Sequence, residues 1–391
     1  MQIILFDDQH VDQFYPLTLT RGISELRLGI LTIAEKWISA GFNVQGALIE
    51  DHIQQEVNAE GAITYVNSRY LPTKELTSLL DNLNSGDVLF KDSDLVAFIS
   101  DDLLSRKQIL AIPQAPSNIT DELTCIQQVT DLFHLNGDEI KSDIQRIKPK
   151  QSVVPDHCTI IGDANHLYID PSAKVTASII NVSEGPVYLG PGAEIMEGCM
   201  IKGPFALCDH ATVKMGAKIY GDTTIGPWSK VGGEVGNSLV LGYSNKGHDG
   251  YMGNSILGEW CNLGADTNTS NLKNNYSNVR TWNYREEGYT DTGLTFCGLI
   301  MGDHSKCGIN TMFNTGTVVG VNANIYGGSF PPKFIPSFSW GGSEGLTTYD
   351  LEKAMSTAER VMARRKKSLS ERDKNVLKHI FDWSKSFRAE N

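Results

Sequence analysis

Aliphatic side chains recur every six residues through the middle of the chain. Leu189, Ile195, Ile201, Leu207, Val213, Ile219, Ile225 and Val231 keep that spacing without a miss. Four residues after each of the first seven stands Ala193, Cys199, Phe205, Ala211, Ala217, Thr223 or Ser229, small in every case except Phe205. An amphipathic helix repeats near 3.6 residues and a half-buried strand near two, so neither produces this period. A hexad does fit a coil of short strands in which each unit makes one flat side, turns a corner and sends its aliphatic residue inward. Residues 189–231 therefore predict a β-solenoid. The glycines between the aliphatics belong to its tight corners and need no chemical role.

On either side the pattern changes in informative ways. Solenoid spacing begins weakly at Ile169 and Val175, shifts phase by two residues before Leu189, and shifts again before Leu257 and Leu263. Such shifts predict loops on one face, where sites of solenoids are often built. An Asn- and aromatic-rich excursion over 266–295 follows, and then Met301, Cys307, Phe313, Val319 and Ile325 restore the period. A loop of that length inside a solenoid predicts a functional or intersubunit role.

The first part of the chain alternates instead. QIILF reads as a buried strand, 24–40 as a helix capped by Ser24 and stopped by Gly41, and 44–49 as a second strand. ITYVNSRYL, a helix behind Thr73, a hairpin around Asp92, Ser93 and Asp94, and helices over 121–133 and 138–147 complete the run. The alternation predicts an α/β domain over 1–150. Pro149 and Pro155 bracket a linker over 148–156, a β-helix domain covers 151–330, and a helical extension covers 331–391.

Composition narrows the partners. A chain of 391 residues with 40% hydrophobic content has room for two or three domains. Its formal net charge of −12 disfavours nonspecific binding to nucleic acid or an anionic membrane, so neither is expected as a partner. The start, MQIILFDDQH, carries no basic n-region and no apolar run reaches a membrane span, which predicts the cytoplasm. Seven cysteines without a C-x-x-C pair fit a reducing compartment, and no metal ligand set is assigned. Cys199, Cys261 and Cys307 fall at or near inward hexad positions and read as core.

Candidate chemistry collects at the second phase shift. His248 sits in the polar, glycine-rich stretch SNKGHDGYMGNSILGEW, away from any apolar face. An imidazole takes up a proton near neutral pH, which suits a general base for an amine attacking a thioester. Tyr251, Asn262 and Asn271 supply nearby groups for sugar hydroxyls or an oxyanion. The basic run RVMARRKK near the end reads as a solvated helix terminus.

KGHDGYMGNSILGEWCNLGADTNTSN resembles the acetyltransferase motif of the bacterial bifunctional UDP-N-acetylglucosamine pyrophosphorylase/glucosamine-1-phosphate N-acetyltransferase (GlmU) family, K-A-G-H-x-x-Y-x-G-D, then G-x-x-x-N-x-G-A-G-T, then N. The resemblance implies a left-handed parallel β-helix of hexapeptide repeats and assembly as a homotrimer. It implies His248 as catalytic base, Tyr251, Asn262, Asn271 and Glu234 as substrate contacts, and Ala265 as a backbone contact to acetyl-CoA. The sequence departs from the motif at Asn254, at Asp266 and at Gly236, where the family carries Asp, Gly and Lys. Lys230 and Lys246 are then the cations chosen for a sugar phosphate, with Lys273 and Arg280 also near.

Pro16, Leu17, Thr18 and Thr20 resemble part of the P-L-T-x-x-x-P-K-P piece of sugar-phosphate nucleotidyltransferases, but FDDQHVDQF replaces the glycine-rich phosphate loop before it. That resemblance implies a short N-terminal domain of the GlmU-like kind with UTP as substrate; Arg21 and Arg27 are the candidates to replace the missing cations as nucleotide contacts, Asp7, Asp8, Asp101 or Asp102 the candidates to hold Mg²⁺, and a nucleotidyltransferase-like domain that has lost catalysis is the alternative. The expected function is acetyl-CoA-dependent N-acetylation of an amino-sugar phosphate, with uridylyl transfer to the product as a second activity. The main alternative is a sugar-1-phosphate nucleotidyltransferase whose β-helix only oligomerises. A solenoid metalloenzyme is disfavoured because His210, His248 and His304 are sparse and irregularly placed, and a pure scaffold leaves the His248 stretch unexplained.

Overall fold

The computed structural model describes residues 1–120, 122–150 and 153–388. Two compact units form. The first comprises Met1–Phe14, Thr18–Arg27 and Leu31–Val129, and the second Tyr15–Leu17, Leu28–Ile30 and the chain from Thr130 onward.

In the first unit a five-stranded sheet runs in the order Asn43–Leu48, Gln2–Phe6, Ile63–Asn67, Asp94–Ser100, Val88–Lys91. The first three strands are parallel and the last two pair antiparallel. Gln2–Phe6 lies in the interior of the sheet, and Ile3, Ile4 and Leu5 are fully buried, which explains its unbroken apolar sequence. Asp92 and Ser93 close the predicted hairpin with both residues left-handed, the turn that matches strand twist. Helix Lys74–Asp81 starts at Thr73, whose hydroxyl accepts from the Leu76 N–H at 3.3 Å.

Two helices differ from expectation. The predicted helix over 24–40 is a 3₁₀ turn, Ile23–Glu25, two short paired strands, Arg27–Leu28 and Leu31–Thr32, and a helix only over Ile33–Ser39. Gly29 at φ +75° breaks the run, and a Cβ there would sit 2.7 Å from the Glu139 backbone. Thr32 and Glu35 then form a capping box that starts the true helix. Of the helix expected over 121–133, only Asp131–His134 is helical among the described residues, and Asp121 lies outside them. The unpredicted helix Arg106–Leu110 begins at a second capping box, Ser105 with Gln108.

The second unit is the β-helix, with sheets of ten, eight and nine strands. Its register is parallel from coil to coil: Ile195 pairs with Val213 and Val213 with Val231, each eighteen positions on. The inward aliphatics form one continuous core in which Leu189, Ile195, Leu207, Val213, Ile225 and Val231 are fully buried. Burial of each such side chain contributes about 1.5–3 kcal/mol. Phe205, the large member of the otherwise small series, is also fully buried there.

The phase shift before Leu257 comes from shortened coils and not from an inserted loop. Val231 pairs with Lys246, fifteen positions on, and Val235 with Met252, seventeen positions on. Part of the missing length is taken at the corner Gly232–Gly233, where Ile219 pairs with Val235 sixteen positions on, and the rest between Val235 and Val240, where Ile225 pairs with Val240 fifteen positions on. The long excursion leaves the coil after Asn268–Thr269, folds into an antiparallel hairpin of Arg280–Asn283 and Gly288–Asp291, and rejoins at Ile300–Met301.

Helix Asn136–Ile147, grouped by the sequence pattern with the first 150 residues, belongs to this second unit. Asn136 explains why: its amide donates to the Asp222 carbonyl and the Thr224 hydroxyl, both at 3.0 Å, on the coil wall. At the far end come helices Leu351–Ala363 and Glu371–Trp383. Trp383 packs edge-on against Tyr15 and tilted against Tyr284 of the hairpin, at ring separations of 5.5 and 5.8 Å. Among the described residues no helix is long and apolar enough to cross a membrane.

Candidate functional site

His248 stands at an edge of the prism. Asn245–Lys246 belongs to one sheet and Tyr251–Gly253 to the next, so the turn 247–250 between them carries the imidazole outward, where it is exposed. Gly250 sits at φ +112° with the Thr267 carbonyl 2.2 Å from where a Cβ would be, so only glycine closes this turn.

Two cavities meet at the edge. One, of about 530 Å³, is lined by His248, Asn245, Asn262, Ala265, Lys230, Lys214, Tyr243 and Trp260, and by Val361, Arg364 and Arg365 of the C-terminal helical region. The other, of about 520 Å³, shares Lys214, Gly247, His248 and Ala265 and continues past Met196, Met215, the corner Gly232–Gly233, Asp249 and Asp266. His248 is thus open to both. The layout can hold two reactants on either side of one proton acceptor.

The first cavity is strongly basic. Burial and then the neighbouring Arg365, Lys214 and Arg364 hold the Lys230 ammonium below its ordinary pKa, against the opposing pull of Glu194, so cations outnumber the anion around it. Arg365 donates to the Trp228 carbonyl at 3.2 Å and lies 5.9 Å from the Trp228 ring, which fixes its side chain. Tyr243 and Trp260 stack at 4.2 Å and form a flat wall. The run RVMARRKK, read from sequence as a solvated helix end, therefore contributes two arginines to the cavity of His248. Nothing local in that run signals it, because the coil it meets lies more than a hundred residues earlier.

The other candidates separate into groups. Tyr251 and Asn271 lie on the neighbouring face and bond to each other, with Asn271 donating to the Tyr251 hydroxyl at 3.0 Å and to Asn254 Oδ1 at 2.7 Å. Asn254, where the motif has Asp, is thus an acceptor in this small network beside the Tyr251 hydroxyl. Burial pushes the Tyr251 phenol up. Glu234 pairs with Tyr251 in register, 4.0 Å from Lys218. These three residues do not line the cavities that His248 opens to.

Lys246 is not a phosphate cation. It points into the prism, is 2% exposed, and spends its ammonium on the carbonyls of Gly232, His248 and Asp249 at 3.1, 2.6 and 3.1 Å. Of the other two cations near the motif, Lys273 donates to the Asn278 carbonyl and Arg280 to the Tyr289 carbonyl within the excursion.

In the first unit Arg21 is buried and Arg27 lies 3.7 Å from Glu35. Asp7 is fully buried, and burial pushes its carboxyl up to about 7, while its Oδ2 accepts from the Ile23 N–H at 3.0 Å. Asp101 and Asp102 are exposed at the end of another strand. The acidic group that does form joins Asp8, Asp94 and His10. Arg69 occupies it already, with Nη2 at 2.5 Å from both Asp8 and Asp94. Burial works to raise the Asp8 carboxyl, yet Arg69 outweighs it and holds the group below the usual carboxylate range. A divalent cation placed there would meet the guanidinium, so these residues do not fit Mg²⁺.

Residues 3–152 match the sugar nucleotidyl transferase family model. The bifunctional protein GlmU of Prochlorococcus marinus is 27% identical over 231 residues, 54% of this chain and 46% of that protein. GlmU of Methanococcus aeolicus is 32% identical over 120 residues, 31% of this chain and 25% of that protein. The chain thus spans a quarter to about half the length of these curated relatives. An Arabidopsis UDP-N-acetylglucosamine acyltransferase structure aligns with 55% of this chain and 80% of its own at 16% identity and a TM-score of 0.22; the β-helix rests on the strand register itself.

The chain carries a nucleotidyltransferase-like α/β unit followed by a β-helix with C-terminal helices. Its arrangement is that of a GlmU-like protein.

Proposed function

We propose that the chain is a transferase that moves the acetyl group of acetyl-CoA to the amine of an amino-sugar phosphate, with glucosamine 1-phosphate as the substrate of choice. The observation that carries this reading is the meeting of two cavities at His248, one of them ringed by Lys214, Lys230, Arg364 and Arg365. A phosphate monoester suits that excess of cations, which Glu194 offsets only in part. His248 removes a proton from the attacking amine, the nitrogen bonds to the thioester carbonyl carbon, and the carbon–sulfur bond breaks to release CoA. The Ala265 backbone, shared by both cavities, is the acyl contact, and Asn262 the sugar contact. The protein works in the cytoplasm as a homotrimer, in which the face bearing Tyr251, Asn271 and Glu234 completes the site of a neighbouring copy.

The second reading, uridylyl transfer from UTP by the first unit with Arg21 and Arg27 on the nucleotide, is favoured by the family match over residues 3–152. Arg69 weighs against the Mg²⁺-dependent form of that chemistry.

The test is product analysis on the full chain with two substrate pairs. Acetyl-CoA with glucosamine 1-phosphate gives free thiol and the N-acetyl sugar phosphate on the first reading. UTP with N-acetylglucosamine 1-phosphate gives pyrophosphate on the second. Pyrophosphate without thiol release would replace the first reading with the second, and neither product would remove both.

A further inference from the structure

The inward column that contains Ile195, Val213 and Val231 continues through Lys246, and then through Leu263, Cys307 and Ile325. A lysine in this column is costly. Taking an ammonium out of water costs several kcal/mol even when its partners are good, and an aliphatic residue like its column neighbours would avoid that cost. The pairing makes plain where the cost goes. Lys246 has three N–H donors and uses them on three carbonyls, one from the short corner at Gly232 and two from the turn at His248 and Asp249. The turn needs such a tie, because it lies between Gly247, which has no neighbour within 4 Å of where its Cβ would be, and the left-handed Gly250.

We infer that Lys246 is a positioning residue for His248, its ammonium clamping the 248–249 turn to the Gly232 corner so that the imidazole stays at the edge where the two cavities meet. Burial holds this ammonium down at about 8, against the opposing pull of Asp249, Asp266 and Cys307, which is the electrostatic signature of a charge kept inside for its bonds. The inference rests on His248 being the base of the acetyl transfer proposed above, and its test is chosen to separate the two.

Lys246→Met in the full chain retains length and apolar bulk but removes every donor. Hydrogen exchange of the peptide across 247–250 should quicken at least tenfold while exchange in the 189–231 coils stays unchanged. With acetyl-CoA and glucosamine 1-phosphate, kcat should fall at least tenfold and KM for either substrate should change less than threefold. A merely structural role predicts the opposite, faster exchange throughout the coils with kcat per folded molecule preserved, and that result overturns the inference. Unchanged exchange in the turn overturns it as well. If the wild-type chain transfers no acetyl group, the acetyl-transfer reading fails while the exchange measurement still decides the clamp. Lys246→Gln, which keeps two donors, should give intermediate exchange and kcat, and it supplies the same readouts if the Met variant does not fold.

Discussion

Replacing Asp7 by Asn tests the electrostatics of the first unit through its pH dependence. The carboxyl is fully buried, and burial raises it from 3.8 to about 7. The folded state therefore holds its proton more tightly than the unfolded chain does. The stability this contributes is fully present below the unfolded value and is lost as pH rises toward 7. A shift of roughly three units corresponds to at most about 4 kcal/mol between pH 4 and pH 8. Asparagine cannot titrate, so Asp7→Asn should gain stability on the parent as pH rises, by a few kcal/mol between pH 4.5 and pH 8. Any fixed cost of the amide is the same at both values and cancels. Because the chain has two units, the readout should be local: equilibrate in urea at each pH, pulse-label amides at one common pH, and follow the peptide over Gln2–Phe6. An equal difference between variant and parent at both pH values would mean that Asp7 is ionised throughout, which would refute the assignment.

Three further outcomes follow from the geometry. Arg364→Gln with Arg365→Gln should raise KM for the phosphorylated sugar about tenfold or more, spare kcat, and flatten the dependence of KM on salt, since charge-assisted bonds contribute about 1.5–3 kcal/mol each; unchanged KM would take the anion out of that cavity. Trp383→Ala removes ring contacts to Tyr15, Tyr284 and Phe387 and should cost about 3–5 kcal/mol locally, seen as faster exchange over Glu371–Trp383. Thiol labelling of the native chain should be fastest at Cys158, because Cys199, Cys208, Cys261, Cys297 and Cys307 are buried and the Cys125 thiol is pushed up to about 12 by burial; rapid reaction at Cys261 or Cys307 would contradict their place in the core.

The prism was legible because its signal is local and repeated. Each hexad states the same inward position, and every aliphatic from Leu189 to Val231 lies in the core. The site was legible only as a stretch. His248 and Asn262 could be singled out from their polar, glycine-rich setting, but Lys246, two residues before the histidine, reads from sequence as a cation for the sugar phosphate. Its inward position depends on Val231 pairing with it fifteen residues on, and a period of six carried forward from Val231 misses it. Arg364 and Arg365 escaped for a different reason, since their partners Trp228 and Lys230 are remote in sequence. Near the start of the chain the error over 24–40 came from reading apolar spacing ahead of backbone punctuation: Gly29 and the Thr32–Glu35 capping box were both visible, and they decide the local structure.

The most direct measurement is the turnover of His248→Ala with acetyl-CoA and glucosamine 1-phosphate beside that of the parent chain. A general base contributes about 10²- to 10⁴-fold, so kcat should fall within that range while acetyl-CoA still binds. Full turnover in His248→Ala would contradict the assignment of the base and, with it, the reading of the edge where the two cavities meet.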